Sequence, residues 1–129
     1  MANSATNVRK QEFAYERKAR RVDYGQAAVF KPNHRSNQTG FVRDVSEQGV
    51  FLITQEPLTM GTEILFYLPM QLGPRAKKVL CMVSGAVVRI DGRFSGPLRG
   101  YGVQFSGKLS QVTLRQLREF VASHLTALQ

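Results

Sequence analysis

The sequence predicts a mainly β fold: a small antiparallel β-barrel of six strands with a C-terminal α-helix and a flexible basic N-terminal arm. Six short β-prone runs recur along the chain, and turn-rich segments containing many of the 11 Gly and 5 Pro separate them. A single segment at the end of the chain has helical periodicity instead. The 129 residues are enough for one domain with a sizeable hydrophobic core.

The predicted arm covers residues 1–12, which are polar and lack apolar periodicity, and the predicted domain covers residues 13–129. The domain begins with a short basic linker in which Arg17, Lys18, Arg20 and Arg21 lie close together. Because these cations repel one another and no apolar pattern anchors them, we expect the linker to be mobile without a ligand.

The first three strands are predicted from the runs that follow the linker. Residues 22–30 are β-prone, and the loop K-P-N-H-R-S-N-Q separates them from T-G-F-V-R-D-V. Alternation in this second run places Phe41 and Arg43 on one face and Val42 and Asp44 on the other. After the turn S-E-Q-G, the continuous apolar run V-F-L-I-T is typical of a buried strand.

The last three strands are I-L-F-Y-L, residues 79–90 and Y-G-V-Q-F. We expect Pro69 to end the first of these, and Gly85 predicts a bulge or a sharp bend within the second. Cys81 lies in V-L-C-M-V, which indicates a buried and unreactive thiol.

The helix is predicted to begin after Ser110, which is a suitable N-cap residue. Its apolar side chains recur at helical spacing and form a stripe that consists of Leu114, Leu117, Val121, Leu125 and Leu128. We expect this stripe to pack on the barrel, with a helix-mediated dimer as the alternative.

The charge indicates an anionic partner. The net charge is +9, and half of the 18 basic residues lie between Arg9 and Arg43. Such a balance favours nucleic acid, a phosphorylated ligand or an acidic membrane surface. No apolar run approaches membrane-spanning length, and no secretory signal is visible, so we expect a cytoplasmic protein without membrane insertion.

Catalysis and metal binding have little support. His34 and His124 are 90 residues apart, and neither lies beside an acidic pair or a Gly-Ser elbow. Together with the single Cys81, they also lack the spacing of metal ligands. We therefore expect no enzyme, no metal and no cofactor.

Two short patterns indicate the function. The first is R-x-x-x-R, formed by Arg17 and Arg21, and the second is D-x-S-x-x-G, formed by Asp44, Ser46 and Gly49. Alone, the first pattern is consistent with a solvated basic face. The second alone is consistent with a strand-ending turn in which Gly49 supplies a positive φ.

Together and in this order, the two patterns resemble those of the PilZ domain family, and the resemblance extends over about residues 15–128. P-L-T-M-G-T is similar to the family's turn before a middle strand, and G-Y-G-V-Q-F is similar to its late glycine-containing strand. PilZ domains are β-barrels that bind the bacterial second messenger cyclic di-GMP, and their arginine motif lies on an N-terminal segment that folds over the ligand.

The resemblance implies a bacterial cyclic di-GMP receptor that transmits the signal to a protein effector by ordering its arm. The implied ligand-binding residues are Arg17, Arg21, Asp44, Ser46 and Gly49. Arginine suits this ligand because its planar fork pairs with a phosphate or with guanine O6 and N7. The family often has a further arginine where this chain has Glu16, which favours one ligand molecule per site over a stacked dimer.

Two alternatives remain. A basic β-barrel that binds nucleic acid fits the charge, but such barrels usually expose aromatic side chains. Here the aromatic residues of the apolar runs are expected in the core, namely Phe41, Phe51, Phe66, Tyr67 and Phe105. The other alternative is a PilZ-like interaction module without ligand binding, and the intact motif residues argue against it.

Overall fold

A computed structural model of the chain describes residues 20–127. The described residues form six strands and a C-terminal helix. The strands are β1 (Val22–Pro32), β2 (Gln38–Val45), β3 (Gly49–Thr54), β4 (Glu63–Gln71), β5 (Lys78–Asp91) and β6 (Arg99–Phe105), and the helix is α1 (Gln111–Ala127). The predicted six strands and C-terminal helix are therefore confirmed, whereas the predicted arm and most of the basic linker lie outside the described residues.

The strands close into an antiparallel barrel in the order β1-β2-β3-β6-β5-β4. Chain neighbours pair as hairpins within β1-β2-β3 and within β4-β5-β6. Two long-range ladders close the barrel, β3 with β6 and β1 with β4. The β1–β4 ladder is short and ends at the pair Val29–Tyr67, so the two strands separate beyond it.

Alternate side chains of the strands fill the barrel, as the two-residue period of a strand requires. The largest fully buried ones include Phe30, Leu52, Phe66, Leu68 and Tyr101. Burying a large apolar side chain is worth about 1.5–3 kcal/mol relative to leaving it exposed, so this set dominates the stability of the barrel. The hydroxyl of Tyr101 remains hydrogen bonded, since it accepts from the Leu58 N–H at 3.1 Å and donates to the Glu56 carbonyl at 3.3 Å.

The helix packs against the barrel, as its apolar stripe predicts. Ser110 is the N-cap, and its Oγ accepts the Thr113 N–H at 3.1 Å. Leu117 and Val121 are buried, whereas Leu128 lies outside the described residues. Phe120, which the predicted stripe omits, is also buried, and its ring centroid lies 5.8 Å from that of Tyr24 in β1. No helix in residues 20–127 is both long enough and apolar enough to cross a membrane.

Pro69 does not end β4, contrary to the prediction. It pairs with Leu80, and the ladder to β5 continues to Gln71. The Pro69 carbonyl points towards β1, where it accepts a hydrogen bond from the Tyr24 hydroxyl at 2.6 Å. The proline nitrogen points the same way, and the β1–β4 ladder has already ended there, so the strand loses no ladder hydrogen bond.

The predicted irregularity of β5 lies at a different residue. Gly85 pairs in regular register with Phe105, and a Cβ at this position would overlap the Gln104 carbonyl. The register shift comes later, between Val87 and Arg89. Gly85 is therefore required by the close approach of two strands, and the bulge follows it.

The aromatic residues are not all in the core. Phe51, Phe66 and Phe105 are buried, but Tyr67 is half-buried and Phe41 is 43% exposed. The prediction of a buried Phe41 was wrong. Phe41 and Arg43 are alternate residues of β2, and both side chains lie on the outer face of the barrel. Cys81 is fully buried, as predicted.

Candidate functional site

Asp44 is the centre of the candidate site and binds two arginines. Its carboxylate Oδ1 accepts from Arg21 Nη1 at 2.7 Å, and its Oδ2 accepts from Arg43 Nε at 3.0 Å. The Asp44 side chain is only 12% exposed, whereas those of Arg21 and Arg43 are about half exposed, at 47% and 53%. The two arginines neutralise a largely buried carboxylate and leave other guanidinium N–H groups free to donate elsewhere.

The pairing of β1 with β2 brings Arg21 to Asp44. Arg21 immediately precedes β1, and Asp44 pairs with Asp23 in the adjacent strand. The ion pair therefore joins a residue of the first sequence motif to a residue of the second. Half-exposed pairs contribute roughly 0–1 kcal/mol to stability, so the main consequence of this pair is the position of the Arg21 side chain. Arg17 lies outside the described residues.

Ser46 holds the turn between β2 and β3. Its buried Oγ accepts the N–H groups of Gln48 at 3.0 Å and Gly49 at 3.2 Å. The Ser46 N–H donates to the Gly49 carbonyl at 2.9 Å, and the Gln48 carbonyl accepts the Phe105 N–H at 2.7 Å. A hydroxyl that bonds the backbone in this way fixes a tight turn, so D-x-S-x-x-G folds as the strand-ending turn that the residues alone indicate.

Gly49 is required for a different reason than predicted. Within residues 20–127, the glycines with positive φ are Gly25, Gly61 and Gly96, so the expectation for Gly49 was wrong. A Cβ at Gly49 would overlap the carbonyl oxygen of Val103 in β6. The glycine therefore allows β3 to begin in close contact with β6.

An open groove of about 410 Å³ lies beside this turn. Its lining combines Arg21 and the turn with residues of β5 and β6. The groove is lined by Arg21, Ser46, Gln48, Val88, Arg89, Gly102, Val103 and Gln104. We refer to it as the Arg21–Arg89 groove. It brings together residues that are far apart in the sequence and includes two arginines.

Sequence reasoning missed Arg89. The bulge between Val87 and Arg89 changes the register of β5, so Arg89 pairs with Gly102. A Cβ at Gly102 would lie only 3.3 Å from the Arg89 Cβ and 3.4 Å from its Nε, so the glycine leaves room for the arginine side chain. The Gly-Tyr-Gly sequence indicates that β6 leaves room for a neighbouring side chain. It does not indicate that this side chain is Arg89.

Arg43 was also missed, and Phe51 lies beneath it. The Arg43 Cζ lies 4.0 Å from the centroid of the Phe51 ring, and the Arg89 Cζ lies 5.7 Å from it. A cation over an aromatic face is stabilised by the ring quadrupole. The ring therefore helps to orient two arginines on the same side of the barrel.

The acidic residue nearest to Arg89 in the sequence is already paired. Asp91 accepts hydrogen bonds from Arg93 at 3.1 Å and 3.0 Å. The hydrogen bond from Arg93 lowers the pKa of this partly exposed carboxyl to about 2, and Arg89 contributes a smaller electrostatic effect. Asp91 therefore pairs with its neighbour in the loop and leaves the Arg89 donors to the groove.

Three other depressions within the described residues are lined without any arginine. A larger depression of about 760 Å³ is lined by residues such as Phe41 and Leu98, and its one charged lining residue is Glu56, so it offers nothing to an anion. His34 and His124 are not brought together: the first lies 3.9 Å from Glu63, and the Nδ1 of the second donates to the Phe120 carbonyl at 3.0 Å. No group of potential metal ligands occurs within residues 20–127.

The comparisons with known proteins agree with this fold. The sequence profile of the PilZ domain matches residues 15–123. Among curated proteins, none matches the chain. The solved structures that resemble it share low sequence identity with it, so their similarity concerns the fold.

One such structure is the inhibitor of motility MotI/DgrA from Bacillus subtilis, with a TM-score of 0.66 and 12% identity over 84% of this chain and 51% of that chain. This chain thus spans about half the length of MotI. A second is the PilZ domain of YcgR from Escherichia coli with c-di-GMP, with a TM-score of 0.63 and 16% identity over 85% and 92% of the two chains. A third is the K. pneumonia MrkH–c-di-GMP complex, with a TM-score of 0.62 and 12% identity over 86% and 53%. Since the profile match covers most of the sequence and the barrel is that of the solved PilZ structures, the chain belongs to the PilZ domain family.

Proposed function

We propose that this chain is a receptor that binds cyclic di-GMP in the Arg21–Arg89 groove and transmits the signal to a protein partner. The observation that carries the proposal is the Arg21–Asp44 ion pair of 2.7 Å, which joins the two sequence motifs at the edge of the groove. Family membership supports it, as do the c-di-GMP complexes of YcgR and MrkH.

The charges of the groove suit a ligand with two phosphates. Arg21 and Arg89 both line the groove, and both are exposed. Hydrogen bonds between a guanidinium and a phosphate are charge-assisted and can be bidentate. A dianion held in the groove would therefore contact both arginines, and a guanine could accept from either fork through O6 and N7.

Asp44, which is bonded to the groove residue Arg21, is the acceptor proposed for the ligand. Each of its carboxylate oxygens holds one arginine and can still accept a second hydrogen bond, for which the N–H edge of a guanine is a suitable donor. An unpaired carboxylate would repel the phosphates, but Arg21 and Arg43 neutralise it. Asp44 can therefore accept a hydrogen bond from a guanine base without repelling the phosphates of the ligand.

The remaining motif residues have shaping roles in this proposal. Ser46 holds the turn beside the groove through its buried hydroxyl. Gly49 keeps that turn close to β6. Arg17 is proposed as the second arginine of a strap that folds over the ligand, and we propose one ligand molecule per site because Glu16 precedes it.

We propose binding rather than catalysis for this groove. Chemistry on the ligand would need a nucleophile with an adjacent base, or a metal. Of the groove residues, Ser46 is the one with a nucleophilic hydroxyl, and that hydroxyl is engaged with the turn backbone. The partner proposed for the receptor is a protein effector, and nucleic acid is the alternative that the experiment below separates.

Replacing Arg21 with alanine tests the site. We expect Arg21→Ala to weaken cyclic di-GMP binding by roughly 1.5–3 kcal/mol, the usual size of a hydrogen bond to a charged group. Isothermal titration calorimetry with cyclic di-GMP, GTP, GMP and a short oligonucleotide at two salt concentrations gives affinity, selectivity and stoichiometry. Arg115→Ala removes the same charge from an exposed position of the helix and should bind like the wild type.

Two results would contradict the proposal. Wild-type affinity of Arg21→Ala for cyclic di-GMP would remove Arg21 from the site. Tight binding of the oligonucleotide with a steep salt dependence, but none of the dinucleotide, would identify a nucleic-acid-binding barrel instead.

A further inference from the structure

An exposed apolar surface lies on the outside of the barrel, across β5, β4, β1 and β2. We call it the apolar face, and it consists of Val29, Phe41, Tyr67, Leu80 and Met82. The strand register arranges three of these side chains in a row, because Met82 pairs with Tyr67 and Tyr67 pairs with Val29. Leu80 and Met82 are 53% and 50% exposed. The exposure is thus continuous across neighbouring strands.

A groove runs through this face where β1 and β4 separate. Beyond the pair Val29–Tyr67 the two strands are no longer in register, and an apolar groove of about 420 Å³ opens between them. Leu80 and Pro69 line it on one side and Ala27 and Val29 line it on the other. The hydrogen bond from Tyr24 to the Pro69 carbonyl satisfies the backbone beneath it, so the groove is a formed feature of the closed barrel.

This arrangement differs from isolated surface hydrophobics. Single exposed apolar residues are normal on proteins, and Met60 in a turn and Val112 on the helix are of this kind. A row of apolar side chains along a groove instead marks a surface that another molecule covers. Methionine suits such a surface because its flexible thioether adapts to different side chains.

The charges around the face determine which partner it fits. Alternate residues of a strand share a face, so Lys31 continues the outer side of β1 beyond Val29, and Lys78 continues that of β5 beyond Leu80. Lys77 and Arg75 lie in the exposed loop that leads into β5. The acidic residue on the outer side of β4 is Glu63, at the opposite end of that strand from the loop, and Lys31 lies at the Glu63 end because it pairs with Leu65.

We propose that the apolar face docks an acidic amphipathic helix of a partner protein. Three neighbouring strands are about 10 Å across, which matches two turns of a helix that presents apolar residues at i, i+3, i+4 and i+7. Carboxylates beside these apolar anchors would then meet Lys78 and the basic loop before β5. Complementary charge of this kind selects the partner and speeds its association.

The same charges disfavour a second copy of the chain as the occupant. A two-fold contact through this face would bring each basic rim towards its own copy. Two chains of net charge +9 would repel one another as well. An anionic membrane shares the required charge, so the experiment includes it as a competing outcome.

The test uses two labelled helical peptides and the full chain without nucleotide. The peptides share one leucine stripe and differ only in their flanking residues, which are glutamate in one and lysine in the other. We expect fluorescence anisotropy to show binding of the glutamate peptide and at least tenfold weaker binding of the lysine peptide. The double variant Leu80→Ser/Met82→Ser should lose at least tenfold in affinity, and Met60→Gln should bind like the wild type.

Several results would overturn the proposal. These are equal binding of both peptides, no binding of either, or wild-type binding by a double variant that circular dichroism shows to be folded. A concentration-dependent dimer that the double variant abolishes would identify a second copy as the occupant. Cosedimentation with phosphatidylglycerol vesicles that the double variant abolishes would identify a membrane. Because no nucleotide is used, each result is independent of cyclic di-GMP binding.

Discussion

At the scale of single residues, the buried thiol of Cys81 makes the stability of the fold depend on pH. Burial raises the pKa of its thiol to about 11, from an ordinary value of 9.0. Burial also raises the pKa of Tyr24, and the nearby Cys81 adds a smaller electrostatic effect. Neither group therefore ionises in the folded protein near neutral pH.

We expect stability to fall at alkaline pH because of this shift. Below about pH 9 the thiol is protonated in both states, so its contribution to stability is complete. Between about pH 9 and pH 11 the unfolded chain releases a proton that the folded chain retains, and the free energy of unfolding decreases. Urea unfolding across this range should show a shallower decrease for Cys81→Ala than for the wild type, and equal slopes would contradict the assignment.

Gly49 gives a second test at this scale. The Cβ of Gly49→Ala would overlap the Val103 carbonyl, so β3 must move away from β6. We expect a loss of about 1–3 kcal/mol in the free energy of unfolding, the usual cost of overpacking. The control is Gly92→Ala, where no atom lies within 4 Å of the added methyl group and φ is not positive. If the two variants are equally stable, the close approach of the strands does not constrain this position.

The sequence was sufficient to find some of the candidate site residues and not others. Asp44, Ser46 and Gly49 lie within six residues of one another, so a short pattern can describe them. Arg89 reaches the site through strand pairing and a bulge, and Arg43 bonds its sequence neighbour Asp44 where the register of β2 against β3 shifts. Phe51 lies beneath both arginines. Such positions depend on the register of distant strands, which no local pattern contains.

At the scale of elements, the helix is the clearest test of packing. Leu117 is fully buried between the helix and the barrel. An aspartate there would be an unpaired buried charge, so we expect Leu117→Asp to destabilise the monomer by roughly 3–5 kcal/mol. Val112→Asp places the same charge on the same helix at a position that is 64% exposed, and it should unfold like the wild type. A folded Leu117→Asp protein that changes only in oligomeric mass would indicate a helix-mediated dimer.

The elements show which local signals predict structure. Ser110 and the helical spacing of Leu117 and Val121 predict the helix because both its cap and its buried face are local. Pro69 is a poor signal for the end of β4. The β1–β4 ladder does not extend to Pro69, so the missing N–H of the proline costs the sheet no hydrogen bond. The register shift of β5 after Val87 has no signal of its own in the sequence.

At the scale of the whole molecule, the closed barrel follows from six amphipathic strands, but its outer surface does not. The alternation of a strand predicts which side chains share a face, as it does for Phe41 and Arg43. In a continuously apolar run, however, the sequence does not indicate which of the two faces is exposed. The apolar face is exposed because Tyr67, Leu80 and Met82 lie on outer positions of strands that read as apolar throughout. The sequence therefore predicts the core more completely than the surface.

The last prediction concerns how ligand binding changes the molecule as a whole. Residues 8–22 include the basic linker, and they lead into β1 at the residue that binds Asp44. Ordering a segment costs about 1–2 kcal/mol per residue for its backbone, so only a ligand that contacts both the linker and the turn can hold it in place. A dianion would reduce the repulsion among the four cations of the linker and favour its docking over the groove. We therefore expect cyclic di-GMP to slow amide hydrogen exchange across residues 8–22, and Arg21→Ala at the same ligand concentration to lose this protection. Unchanged exchange at saturating ligand would leave binding intact and exclude the arm as the element that passes the signal to a partner.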